Sequence, residues 1–180
     1  MRILKENSLA LIIDVQERLY PHIFENDKLE KNLRILISGF NILEIPILVT
    51  EQYPKGLGPT IPSLHEMLKS SPVIEKMSFS CCDEPVFMKS LEDSGKKSVL
   101  VAGIESHVCV LQTVIDLLNK NFLPVIIEDC VSSRNLNDKR IAMKRMRQEG
   151  VIISTTESIL FELLRISGTE QFKAISKLVK

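Results

Sequence analysis

The stretch SVLVAGI, residues 98–104, is apolar after its first residue and rich in Val, Leu and Ile. It does not alternate apolar with polar, so it reads as a strand covered on both faces. The residues behind it, 106–120, can hold a helix. Outward from this unit the same pattern recurs. SLALIID (8–14), IPILVT (45–50), LPVIIED (123–129) and GVIIST (150–155) are short apolar runs of the same kind, and PVIEK (72–76) is a shorter candidate. Helices fit at 27–43, 83–94, 136–149 and 156–167, and an amphipathic stretch, 169–179, is expected to dock as a last helix. Alternating strand and helix predicts an α/β fold: a three-layer α/β/α arrangement around a Rossmann-like, doubly wound parallel sheet with right-handed crossovers. No Gly-rich linker and no internal repeat divides the chain, so residues 1–180 read as a single domain.

Composition narrows the function classes. The chain has 180 residues, enough to bury a sizeable core. With 44% hydrophobic and 26% charged residues it is of ordinary globular composition. Lysine plus arginine and aspartate plus glutamate number 23 each, so no general attraction to nucleic acid or anionic lipid is expected. The basic stretch from Arg134 to Arg147 reads as a solvated helix face. No segment approaches the roughly 18 uninterrupted apolar residues of a membrane helix. The N-terminal run is interrupted by Asp14 and reads as a strand, not a signal peptide. Four cysteines, at 81, 82, 109 and 130, fit neither a disulfide framework nor a zinc pattern. A reducing, cytoplasmic setting follows from that usage.

In a doubly wound sheet, ligands bind beyond the carboxyl ends of the strands, near the switch in strand order. That rule selects Asp14, Thr50 and Glu51, Lys76, the segment Gly103 to Cys109, and Asp129. It also selects the loop EQYPKGLGPTIP, residues 51–62, with three prolines and two glycines. Ser106 is the expected N-cap of the helix after the central strand, which puts Cys109 in that helix's first turn. There the exposed N–H groups and the helix dipole, with Lys76, would favour a thiolate. Each residue also has a plainer reading. Cys109 is equally a small buried hydrophobe; Asp14 a helix cap; Lys76 a surface lysine. Taken together they form a chemical set, because an aspartate can take a thiol proton and a lysine can stabilise the anions.

The chain resembles the isochorismatase-like hydrolases. The resemblance rests on ALIIDVQ around Asp14, VTEQYPKGLG at 49–58, IEKMSFS around Lys76, and VAGIESHVCV around Cys109, in that order. The second and fourth pieces look most like the branch of isochorismatase domain-containing proteins. The resemblance implies a catalytic triad of Asp14, Lys76 and Cys109. It further implies a non-proline cis peptide at Ile104–Glu105, with the N–H groups of Glu105 and Cys109 as oxyanion donors. Gln16, Glu51, Gln52, Tyr53 and His107 are expected to line the pocket. His107 is equally able to pack under the sheet. True isochorismatases lack the cysteine, and metal-dependent nicotinamidases carry histidines where this chain has Glu51-Gln52-Tyr53. No metal and no cofactor are therefore expected, and the three histidines, His22, His65 and His107, lack ligand spacing. The implied activity is hydrolysis of a small amide or related C–N bond by a cytoplasmic homo-oligomer. The alternative is a catalytically silent binding or scaffold member of the same fold.

Overall fold

The computed structural model describes all 180 residues. One six-stranded sheet organises them, in the order β3-β2-β1-β4-β5-β6, with every neighbouring pair parallel. The strands are β1 (Ser8–Ile13), β2 (Ile47–Gln52), β3 (Val73–Lys76), β4 (Ser98–Ile104), β5 (Leu123–Ser132) and β6 (Ile152–Ser154). The order reverses between β1 and β4, so the switch point lies where Asp14 and the turn carrying Cys109 leave the sheet.

The central strands are buried along their whole length, and their side chains divide by parity. Ala10 and Ile12 of β1 join a core under α1 (Asn26–Ile42), α7 (Thr156–Leu164) and α8 (Glu170–Leu178). Leu9, Leu11 and Ile13 join the opposite core under α4 (Pro85–Asp93), α5 (Leu111–Asn119) and α6 (Leu136–Gln148). This period-two division makes the three layers. Two single-turn helices, α2 (Pro54–Leu57) and α3 (Pro62–His65), fold the Pro-rich loop after β2. No helix is long and apolar enough to cross a membrane.

Local chemistry sets the helix ends. Asn135 and Thr169 accept hydrogen bonds from the N–H groups of Asn137 and Phe172, capping α6 and α8. Pro85 opens α4 at a position where its missing N–H costs nothing. Gly103 in β4 has φ 122°, and a Cβ there would collide with the backbone of Ile13 on β1. Only glycine allows the two switch-point strands to approach so closely.

Three expectations shift. The second strand runs to Gln52 rather than Thr50, pairing Gln52 with Lys76. The fourth helix begins at Pro85, after a separate 3-10 turn at Cys81–Asp83. The fifth strand continues to Ser132. Its register with β4 jumps from Val101–Ile126 to Gly103–Val131, so residues 127–130 bulge and Asp129 lies within the strand.

Candidate active site

Asp14 follows β1 in a left-handed conformation, φ 51°, which turns its side chain away from the strand's alternation. Its N–H donates to Thr50 O at 3.1 Å. Its Oδ1 accepts from the Thr50 hydroxyl at 2.8 Å, and its Oδ2 faces Lys76 Nζ at 2.7 Å. Both side chains of that ion pair are 0% exposed. Oδ2 takes no further hydrogen bond, so the ammonium is its partner. Lys76 Nζ also donates to Gln52 Oε1 at 2.7 Å and to the carbonyls of Ser78 and Phe79, each at 3.2 Å. A buried charge pair persists only when its remaining bonds are satisfied in this way. Burial works against the Lys76 ammonium, but the charge of Asp14, the thiols of Cys109 and Cys81 and the bond to Asp14 outweigh it. The lysine pKa is raised.

Cys109 sits in a π turn, Ser106–Val110, that runs directly into α5. Turns of this kind occur often at functional sites. The residue is 7% exposed and lies close enough to Asp14 and Lys76 to feel the charge of both. Burial, followed by the charge of Asp14, pushes the thiol pKa up to about 12; Lys76 opposes this only in part. This runs against the expectation of a resting thiolate: burial and the neighbouring carboxylate together outweigh the lysine and favour the thiol. Cys82 is likewise pushed up to about 12 and Cys81 to about 11, in both cases chiefly by burial.

Ile104–Glu105 is a cis peptide. The Glu105 carbonyl accepts from the N–H groups of Val108 and Val110, whereas the Glu105 N–H finds no acceptor within the chain. Its carboxylate points elsewhere, accepting from Arg134 N at 3.0 Å and Arg134 Nε at 3.2 Å. Ser106 does not cap the helix: Glu105 occupies that position, and the Ser106 hydroxyl is buried without a partner.

Of the expected pocket residues, only Gln52 bonds a side chain of the Asp14–Lys76–Cys109 set, through Lys76; Gln16 N and Tyr53 N donate to the Asp14 and Lys76 carbonyls. Gln16 is fully buried. Its amide bonds Gln52 N, Gln52 O and Gly58 O, fastening the loop after β2 to the loop after β1. Glu51 accepts from both N and Oγ1 of Thr60 and closes the same loop from the other end. Tyr53 is 47% exposed and lies over Gly56. His107 Nδ1 lies 3.0 Å from Ser133 Oγ, beside β5. Asp129 accepts from Thr156 N and Oγ1, so it caps α7 instead of facing the set.

Two side chains escaped the sequence reading as members of this cluster. Thr50 was visible as a polar residue ending a strand, but its bond to Asp14 was not. Cys81, whose Sγ lies 3.8 Å from Thr50 Oγ1, could be singled out only as one of an adjacent cysteine pair. No three His, Cys, Asp or Glu side chains converge in a metal-holding arrangement. The cluster is also buried. None of the five principal cavities is lined by Asp14, Lys76 or Cys109. A cavity of about 240 Å³ opens elsewhere, among Glu25, Lys28, Glu128, Asp129, Lys139 and Thr155.

The isochorismatase domain model matches residues 8–158. Isochorismatase family protein 1B of Dictyostelium discoideum is 40% identical, over 99% of this chain and 89% of its own. The solved structure of a protein described as MAR1 ribonuclease from Caenorhabditis elegans superposes with a TM-score of 0.94. It is 39% identical and covers 99% of this chain and 92% of its own. YcaC from Pseudomonas aeruginosa, solved with hexane-2,5-diol and covalent acrylamide, gives a TM-score of 0.92. The identity is 26%, over 98% of this chain and 91% of that one.

Proposed function

The chain belongs to the isochorismatase family, and from that premise we propose that it is a cysteine-dependent hydrolase acting on a small amide or related C–N bond. Its fold is that of the family's hydrolases. The observation that carries the reading is the meeting of Asp14, Lys76 and Cys109 in one buried cluster, from positions 62 and 33 residues apart in sequence, with the carboxylate on the ammonium and the thiol beside both. A core cysteine would be enclosed by apolar groups alone, and a structural lysine would reach solvent.

The Cys109 thiol is protonated at rest, so attack requires a base in contact with it. Asp14 takes the proton as the sulfur adds to the carbonyl carbon. The N–H groups of Glu105 and Cys109 hold the resulting oxyanion, an interaction worth about 3 kcal/mol per donor. Collapse expels the amine, which Asp14 protonates, and leaves an acyl thioester on Cys109. Asp14 then takes a proton from water, the resulting hydroxide attacks the thioester, and the acid departs as Cys109 regains its proton. Lys76 stays charged throughout and balances whichever of Asp14 or Cys109 is anionic. No metal or cofactor enters these steps. The covalent acrylamide held by the Pseudomonas protein fits a nucleophile in this fold. We read residues 1–180 as one catalytic domain working in the cytoplasm, where four free cysteines are at home. Exposed Met77 and Phe79 beside Lys76 support assembly as a homo-oligomer.

A panel of small primary amides, ureas and N-carbamoyl compounds tests the proposal, with Cys109→Ala as control. Turnover of one class, abolished in the variant, is expected. The closed cluster favours a second reading, a silent binding member of the fold. Saturable ligand binding without turnover would select it. Because the Caenorhabditis protein is described as a ribonuclease, the panel includes single-stranded RNA. A neutral chain is expected to leave it intact.

A further inference from the structure

Thr50 stands between two groups of different kinds. On one side is the Asp14 carboxylate, an acceptor only; on the other is the buried thiol of Cys81. A hydroxyl carries one proton and can accept as well. The proton therefore goes to Asp14 Oδ1, 2.8 Å away, and the oxygen accepts the Cys81 S–H across 3.8 Å. The direction of this chain of donors is fixed: Cys81 to Thr50 to Asp14. Its outer end is anchored, because the Cys81 N–H donates to Thr113 Oγ1 at 2.9 Å, and Thr113 lies on α5, the helix that continues from the turn carrying Cys109.

We infer that Thr50 is a positioning residue that holds the Asp14 carboxylate against the Cys109 thiol. The inference rests on the hydrolase reading above and adds to it a residue outside the triad. Lys76 alone pins one carboxylate oxygen, about which the group can still turn. The Thr50 hydroxyl pins the other, and two pins fix the plane of the carboxylate. The face that the carboxylate turns to Cys109 is then constant. The ionisable groups that face Asp14 are Lys76 from β3, Cys81 from the 3-10 turn and Cys109 from the π turn. Glu84 lies beyond the 77–78 turn, where its carboxylate accepts from the N–H groups of Met77 and Ser78.

Alkylation by iodoacetamide reads the arrangement without needing the natural substrate. In that reaction the sulfur–carbon bond forms, the carbon–iodine bond breaks, iodide leaves, and the thiol proton passes to Asp14. Rates at each cysteine are followed by peptide mapping at pH 7.5 on the full chain. Thr50→Val keeps the shape and removes the hydroxyl; Thr50→Ser keeps the hydroxyl and removes a methyl. We expect Thr50→Val to slow Cys109 about tenfold, the effect of losing roughly one productive hydrogen bond. Thr50→Ser should stay within about twofold of wild type. A packing role predicts the reverse order, since serine leaves the larger void, and that order overturns the inference. In an Asp14→Asn background Thr50→Val should cost nothing further, because its effect passes through the carboxylate. A second full tenfold loss there also overturns it. If Asp14→Asn does not fold, the Val–Ser contrast decides alone. If wild-type Cys109 reacts no faster than Cys82, the hydrolase reading itself fails, a result distinct from a reactive Cys109 that ignores Thr50.

Discussion

Two ends of the same sheet edge carry an aspartate and a lysine each, and they are built in opposite ways. Beyond β1 and β3, Asp14 and Lys76 are paired at 2.7 Å with no exposure at all. Beside the end of β5, Asp129 and Lys139 line an open cavity of about 240 Å³. Each carboxylate of that cavity already has a partner: Glu25 has Lys28, Glu128 has Arg147, and Asp129 has the amide and hydroxyl of Thr156. Lys139 makes no ion pair, and burial holds its pKa below the usual lysine range against the pull of Glu128, Glu25 and Asp129. The larger opening thus surrounds carboxylates that already have partners. The closed end takes on the desolvation of a full charge pair, a cost of several kcal/mol per ion that structure alone does not require. On the function proposed above, an unusual burial of charge marks the chemical end better than the size of the opening does.

The comparison breaks most easily at the lysines. Lys76→Met leaves Asp14 buried without its counter-ion, and urea unfolding should show a loss of roughly 3–5 kcal/mol. Lys139→Met should stay within about 0.5 kcal/mol of wild type. Equal losses at the two positions would erase the distinction drawn here.

The same pair supplies a pH signature. The folded pKa of Lys76 is raised above its unfolded value, ordinarily about 10.4, so its contribution is fully present below that value. It is lost as pH rises through the folded pKa. The stability gap between wild type and Lys76→Met should therefore be level from pH 7 to 9 and narrow at alkaline pH above about 10.4. A gap that narrows on acidification in that neutral range would place the dominant titration elsewhere.

The smallest effect belongs to the open end. Asp129→Ala removes the acceptor of the first N–H of α7 and should cost about 1 kcal/mol, with no change in the alkylation rate of Cys109. A slower Cys109 in that variant would tie the two ends of the edge together.

The central strands were legible because fully buried strands leave continuous apolar runs; the half-covered edge strands β3 and β6 also lie within a few residues of the stretches that suggested them. Asp129 was misplaced because a bulge is a property of pairing, and neither Ile127 nor Cys130 announces that two strands have fallen out of step. Ser106 was misplaced because the chain enters its helix through a π turn, where the capping position falls one residue earlier. Gln16, just after β1, and Glu51, near the end of β2, looked like pocket walls because polar side chains at strand ends serve equally well as fasteners. Which of the two they are depends on partners such as Thr60 and Gly58, up to 42 positions away. Asp14, Lys76 and Cys109 converge because each leaves the sheet at its carboxyl edge, and that could be read in advance. The hydroxyl and thiol behind Asp14 belong to an interior geometry that no spacing encodes.

Gly103 bears on how this protein can vary. It presses β4 against Ile13, one residue before Asp14, and stands one residue before the Ile104–Glu105 peptide. Any side chain there would wedge apart the strand that ends in the carboxylate and the strand that leads to the thiol. The position couples the integrity of the sheet to the spacing of Asp14 and Cys109. A randomised library selected for folding and one selected for reactivity should therefore return the same single codon family at 103, whereas at 16 or 51 the two selections are free to diverge.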